Sequence, residues 1–212
     1  MTRDLQVGIE AILSSAPVVP VMVIDRVADA VPLARALVKG GLPVLEITLR
    51  TSAAIESIRA IMAEVEGASV GVGTVITPQQ MADMDKLGCT FAVSPGSSSG
   101  LLKAAKDIHM PLLPGGVTAS ECMNLLEQGY RFQKFFPAEP AGGAAYLLSL
   151  NSPIPQVRFC PTGGITLESA PKYLKLTNVI TVGGSWMVPK KLIEAGDWAG
   201  IETLAREASK LK

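Results

Sequence analysis

The stretch "VLEITLRTSAAIESIRAIMAEVEGASVGVGTV", residues 44–75, holds the pattern that decides the fold. It opens with a short β-rich run, Val44–Thr48, of the kind found in strands buried on both faces. A helix-like segment follows over residues 51–66, with Ile55, Ile58, Ile61, Met62 and Val65 read as one apolar stripe. A second short strand, Ser69–Gly73, comes next. Strand, helix and strand in succession form the unit of a parallel sheet with helices laid over it.

The same unit recurs in both directions. Further strands are read at residues 18–24, 91–94, 111–113, 132–136, 157–161 and 179–182. Between them lie helical patterns, among them Val27–Lys39 with Gly40-Gly41 as its stop. "TPQQ" at 77–80 supplies a cap, a proline at the first helical position and Gln at the capping-box position, and "TASE" at 118–121 is a second box. A short amphipathic start (Leu5, Ile9, Ile12, Leu13) precedes the first strand, and residues 199–211 read as a closing helix. Eight repeats in 212 residues predict a compact (β/α)8 TIM barrel, one α/β domain over residues 1–212 with an N-terminal helix before the first strand. An open doubly wound sheet is the alternative, weakened because no GxGxxG follows the first strand.

Composition narrows the function. The chain is 48% hydrophobic and 18% charged, with 19 Lys and Arg against 19 Asp and Glu. No basic patch argues for nucleic acid. Cys89, Cys122 and Cys160 lie far apart, without zinc spacing and odd in number, and read as buried reduced thiols. The apolar run at 16–24 contains two prolines and is too short to span a bilayer. The reading is therefore a cytoplasmic protein with no membrane partner. One histidine, His109, lies at the wrong end of the barrel for chemistry, and no acidic cluster accompanies it, so no metal site is expected.

In such a barrel the active site lies where strands end and βα loops begin. Strand two ends in "LEITLR". Glu46 and Thr48 share its inward face, and Arg50 just beyond could reach an anion; a structural Glu46–Arg50 pair is the plainer reading. Strand three ends in "GVGTV", where Thr74 offers a hydroxyl, although on its own the stretch reads first as a plain glycine-rich turn. Strand four ends in "SPGSSSG", containing Pro95, and strand five in "LLPGG"; both are also ordinary turn chemistry.

Strand six carries "RFQKFFPAE", residues 131–139. Alternation puts Phe132, Lys134 and Phe136 on one side. Desolvation favours a neutral amine, and a neutral amine can form a Schiff base with a ketone. The plain alternative is a lysine paired with a buried carboxylate, with Glu46 as the candidate. Buried lysines are uncommon, and the functional reading is adopted. Strands seven and eight end in "CPTGGIT" and "VGGSW". Their Gly-Gly turns, with Thr162 and Ser185, stand at the two positions where barrels of this kind often hold a phosphate.

Taken together, "PVVPVMVI", "VLEITLRT", "VGVGTV", "FAVSPG", "FQKFFPAE", "VRFCPTGGI" and "VITVGGSW" resemble the 2-keto-3-deoxy-6-phosphogluconate (KDPG) aldolase family, which overlaps with 4-hydroxy-2-oxoglutarate (KHG) aldolase. The likeness runs in order over nearly the whole chain. It implies a class I aldolase, a homotrimer without metal or cofactor, acting on a phosphorylated 2-keto acid and releasing pyruvate. By the same resemblance Lys134 is the Schiff-base lysine and Glu46 the general acid/base. Arg50 and Thr74 would bind the pyruvate carboxylate, with Pro95, Phe136 and Thr162 also against substrate. Gly163, Gly164, Gly184 and Ser185 would hold the phosphate. Two departures, Gly116 and Pro140, fall in loops whose shape bears on substrate preference, and neither is one of the proposed catalytic residues. Alternatives remain open at this stage: the galactonate epimer of the substrate, a sugar-phosphate isomerase or epimerase with Lys134 as base, and a non-catalytic sugar-phosphate-binding barrel.

Overall fold

The computed structural model describes residues 4–211. Its strands are β1 (Val18–Met22), β2 (Val44–Thr48), β3 (Ser69–Gly73), β4 (Phe91–Val93), β5 (Leu112–Leu113), β6 (Phe132–Phe135), β7 (Arg158–Pro161) and β8 (Val182–Gly184). The helices are α1 (Ile9–Ser14), α2 (Val27–Lys39), α3 (Ala54–Glu64), α4 (Pro78–Leu87), α5 (Ser99–Lys106), α6 (Ala119–Glu127), α7 (Gly143–Asn151), α8 (Ala170–Leu174), α9 (Lys190–Ala195) and α10 (Trp198–Ala208). Local chemistry sets several boundaries. Thr77 with Gln80 and Thr118 with Glu121 form both capping boxes read from the sequence. Gly88 ends α4 in the left-handed region at φ 95°, where a Cβ would be penalised.

All strands pair in parallel, in the order β5-β4-β3-β2-β1-β8 with β6-β7 as a second group. The two groups join into a cylinder. Lys134 N donates to Pro114 O (2.8 Å) and Gly116 N to Lys134 O (3.0 Å) on one side. Ile180 N donates to Phe159 O (3.0 Å) on the other. The result is the expected single-domain (β/α)8 barrel.

The seam between β5 and β6 has a defect and a repair. Continuing the parallel ladder back from Gly116 would ask residue 114 to donate to Phe132 O, but Pro114 has no N–H. Gln6 fills the gap with its side-chain amide. Its Nε2 donates to Leu112 O (3.1 Å) and Phe132 O (2.7 Å), and its Oε1 accepts from Phe132 N (2.8 Å). One side chain thus replaces a missing peptide group in the strand wall that carries Lys134.

Side-chain parity sorts the core. On β2, Leu45 and Ile47 face the helices, while Val44 joins an inner cluster with Val19, Phe91, Val93, Leu113, Phe132 and Cys160. Ile9 and Leu13 of α1 belong to that inner cluster. The N-terminal helix therefore plugs the end where the strands begin and leaves the opposite mouth for the site.

Some sequence expectations shift. β8 spans Val182–Gly184 rather than 179–182, because residues before it turn back, Val179 N donating to Leu176 O; the expected Gly-Gly turn after strand eight is therefore strand, with Gly183 and Gly184 paired to Val19 and Pro20 of β1. β6 stops at Phe135, ahead of Pro137, which cannot donate to a ladder. β5 is reduced to two residues between Pro111 and Pro114 for the same reason. The buried stripe on α3 is narrower than its apolar residues suggest: Ile58, Ile61 and Val65 are buried with Ala54, but Ile55 and Met62 are exposed. Those two sit one position on from Ala54 and Ile61, about 100° around the helix.

Candidate active site

At the open mouth, the inward positions of β2 and β6 meet. Lys134 Nζ lies 3.2 Å from Glu46 Oε1, with side chains 7% and 3% exposed. A buried ammonium and carboxylate at this distance satisfy each other where either alone would be costly. The plain structural reading of Lys134, pairing with Glu46, is thus present within the functional arrangement. The Glu46–Arg50 pair is not: Arg50 Nε donates instead to Thr48 Oγ1 (3.1 Å), and Thr48 in turn donates to Met22 O (2.8 Å). That chain steadies the arginine stem and leaves its terminal nitrogens for an anion.

Close backbone approach makes room for the acid. A Cβ on Gly73 would overlap the Glu46 carboxylate, so β3 needs glycine there. The Phe136 ring stands 5.3 Å from Lys134 Nζ, within cation–π range. Phe132 packs lower in the barrel interior. Cys160 lies opposite Lys134 in the β6–β7 register. Burial, and then the Glu46 carboxylate, push its thiol up to about 12. It is therefore a neutral wall beside the amine, with no thiolate to compete for a ketone.

Beside the pair opens a cleft of about 160 Å³. Seven of the residues singled out from the sequence line it: Arg50, Phe136, Thr162, Gly163, Gly164, Gly184 and Ser185. Lys134 and Glu46 are buried more deeply, adjoining it through Phe136. Gly163 and Gly164 both take positive φ, 104° and 79°. Thr74 and Pro95 do not line this cleft; they sit on the same rim, after β3 and β4, where Val75 N donates to Val93 O (3.1 Å). Thr74 has φ 61°, the one positive value outside glycine among the described residues. Such a conformation in a β-branched residue is strained and costs about 1–2 kcal/mol.

A larger cleft of about 620 Å³ shares Val21 and Ser185 with the first. Its cations are already engaged, Arg26 with Asp29 and Lys190 with Asp25. The smaller cleft is the one that adjoins the buried amine.

Comparison with known proteins decides the family. A family model described as KDPG and KHG aldolase matches residues 9–204. The chain belongs to the KDPG and KHG aldolase family. A KHG/KDPG aldolase of Escherichia coli (strain K12) is 50% identical over 206 residues, covering 97% of both chains. The crystal structure of a KDPG aldolase from Legionella pneumophila, with pyruvate captured at low pH as a covalent carbinolamine intermediate, superimposes with a TM-score of 0.92 at 44% identity, over 95% of this chain and 98% of that one. A Zymomonas mobilis ZM4 KDPG aldolase solved with 3-phosphoglycerate gives a TM-score of 0.91 at 49% identity, over 100% of this chain and 98% of that one.

Three features of this aldolase-family site escaped the sequence reading: Thr48 as the support of Arg50, Cys160 as the neutral neighbour of Lys134, and Gly73 as the clearance for Glu46. The first had a signal, since Thr48 and Glu46 share a face two residues from Arg50. The other two depend on register between strands.

Proposed function

We infer that this chain is a class I aldolase that cleaves KDPG reversibly to pyruvate and glyceraldehyde 3-phosphate, and KHG to pyruvate and glyoxylate. The observation that carries the reading is a buried Lys134–Glu46 pair at the floor of a mouth whose rim offers an arginine, the Gly163–Gly164 turn and the Gly184–Ser185 end of β8.

The roles of the residues belong to the same proposal. Arg50 and Thr74 hold the carboxylate of the keto acid, which turns one face of the C2 ketone toward Lys134. Lys134 passes a proton to Glu46 and attacks C2. Loss of the C2 oxygen as water, with a proton returned by Glu46, leaves an iminium. Glu46 then removes the C4 hydroxyl proton through a bridging water, and the C3–C4 bond breaks with its electron pair drawn into the iminium. Glyceraldehyde 3-phosphate leaves, the enamine is protonated at C3, and water hydrolyses the iminium to free pyruvate and the amine. Phe136, Pro95 and Thr162 shape the wall around the reacting carbons. Gly163, Gly164 and Ser185 supply N–H and hydroxyl donors to the phosphate, and Gly184, with no side chain, lets it approach the end of β8.

The Gly163–Gly164 turn, with Ser185 just beyond β8 in the same cleft, favours a phosphorylated substrate over KHG. A pyruvate-release assay with KDPG, its galactonate epimer and KHG tests this ranking. Release of no pyruvate from any of them would overturn the aldolase reading in favour of an isomerase or a binding barrel. The homotrimer and the cytoplasmic location are part of the same proposal, supported by the family likeness; light scattering after gel filtration tests the first. Among the described residues no helix is long and apolar enough to cross a membrane.

A further inference from the structure

Glu139 and Tyr173 have no part in the reaction just described, yet they meet directly against the Gly163–Gly164 turn. Tyr173 of α8 is fully buried. Its hydroxyl donates to Glu139 Oε1 at 2.7 Å. Burial, and then the bond to Glu139, push that hydroxyl above the ordinary tyrosine range, so it stays a donor. The Glu139 backbone is fixed on both sides: its N–H donates to Gly163 O (3.1 Å) and its carbonyl accepts from Gly142 N (3.2 Å). Its side chain then lies flat against Gly164, where a Cβ would come within 2.9 Å of Glu139 Cβ and 3.0 Å of Cγ.

We propose that Glu139, held by Tyr173, is a positioning residue that sets the shape of the Gly163–Gly164 turn and thereby the enzyme's preference for a phosphorylated substrate. The inference rests on the reading of that turn as a phosphate cradle. Two consecutive glycines at positive φ have a wide conformational range of their own. N–H donors bind an anion well only when aimed before it arrives. The Glu139 stem is the surface on which Gly164 rests, and the tyrosine hydrogen bond prevents that stem from rotating away. Neither the Glu139 nor the Tyr173 side chain hydrogen-bonds to Lys134, Glu46, Arg50 or Thr74, so loss of this support should be felt mainly at the phosphate end of the substrate.

The test uses the full-length enzyme and two readouts. One is the KM and kcat for KDPG; the other is the rate at which pyruvate, which has no phosphate, is trapped on Lys134 by borohydride. Tyr173→Phe and Glu139→Ala should each raise the KM for KDPG about tenfold, the scale of one hydrogen bond to a charged group, while leaving kcat and pyruvate trapping near the parent values. Glu139→Gln keeps an acceptor for the tyrosine and should retain the parent KM. Equal loss in both readouts would mean that the contact only stabilises the fold, and no change in either would mean that it positions nothing; both outcomes overturn the proposal. Ser185→Ala serves as the control on the underlying reading. If it leaves the KM for KDPG unchanged, the phosphate cradle itself is misplaced; if it raises the KM while the Glu139 and Tyr173 variants do not, only the present inference fails.

Discussion

Lys134 Nζ and Glu46 Oε1 stand 3.2 Å apart although 88 positions separate the two residues in the chain. The barrel makes that meeting possible by placing β2 and β6 around one interior. Removing one member of a buried pair leaves the other uncompensated, at about 3–5 kcal/mol. Glu46→Gln keeps the shape and an acceptor for Lys134 but loses the charge, so its melting curve is recorded beside its rates to tell lost chemistry from lost fold. Turnover of KDPG should fall about 10²–10⁴-fold, the range of general acid–base catalysis. The pyruvate adduct should still form on Lys134, only more slowly. A variant with parent turnover would remove Glu46 from the mechanism.

Thr74 combines backbone strain with a proposed grip on the substrate carboxylate. Thr74→Gly should relieve the positive φ and raise unfolding stability by about 0.5–1 kcal/mol. The same change deletes a hydroxyl donor and should raise the KM for pyruvate in the aldol direction. Denaturant melts and initial rates on the one variant check both. A stability gain without any kinetic cost would mean that Thr74 holds no ligand.

Gln6 stands in for the peptide hydrogen bond that Pro114 cannot make. Gln6→Leu leaves three buried backbone partners short and should cost about 1–3 kcal/mol. For a chain of this size that is a drop in Tm of roughly 2–4 °C per kcal/mol, measurable by calorimetry. Gln6→Glu presents an acceptor where Leu112 O and Phe132 O need a donor, and should not rescue. An unchanged Tm for both variants would dismiss the seam repair.

Burial pushes the thiols of Cys89 up to about 11 and of Cys122 and Cys160 up to about 12, from 9.0. The sign follows. The unfolded chain loses its thiol protons first, so above pH 9.0 it binds fewer protons than the native state and stability falls as pH rises toward 11–12. Urea melts across that interval should show the decline, and Cys122→Ser should make it shallower. At neutral pH the native thiols should resist iodoacetamide until denaturant is added.

Much of this was legible beforehand. The β2 and β3 limits, Val44–Thr48 and Ser69–Gly73, and the full span of α2 can be read from composition and period alone. So can the two capping boxes, because a cap is a local bond between residues three apart. Alternation placed Glu46 and Lys134 inward. What could not be read was set by contacts distant in sequence. The Gln6 repair depends on a proline 108 positions away, and Glu139 meets Tyr173 34 positions on. The exposure of Ile55 and Met62 depends on which arc of α3 faces the sheet, and an apolar residue alone does not say.

The central claim is a covalent bond between one amine and a keto acid. Incubation with pyruvate and borohydride, followed by peptide mass spectrometry, measures it directly. The account predicts a single reduced pyruvate adduct on Lys134, formed in step with loss of activity and absent from Lys134→Arg. An enzyme that goes on turning over KDPG with Lys134 unmodified, or with the adduct on another lysine, would contradict it.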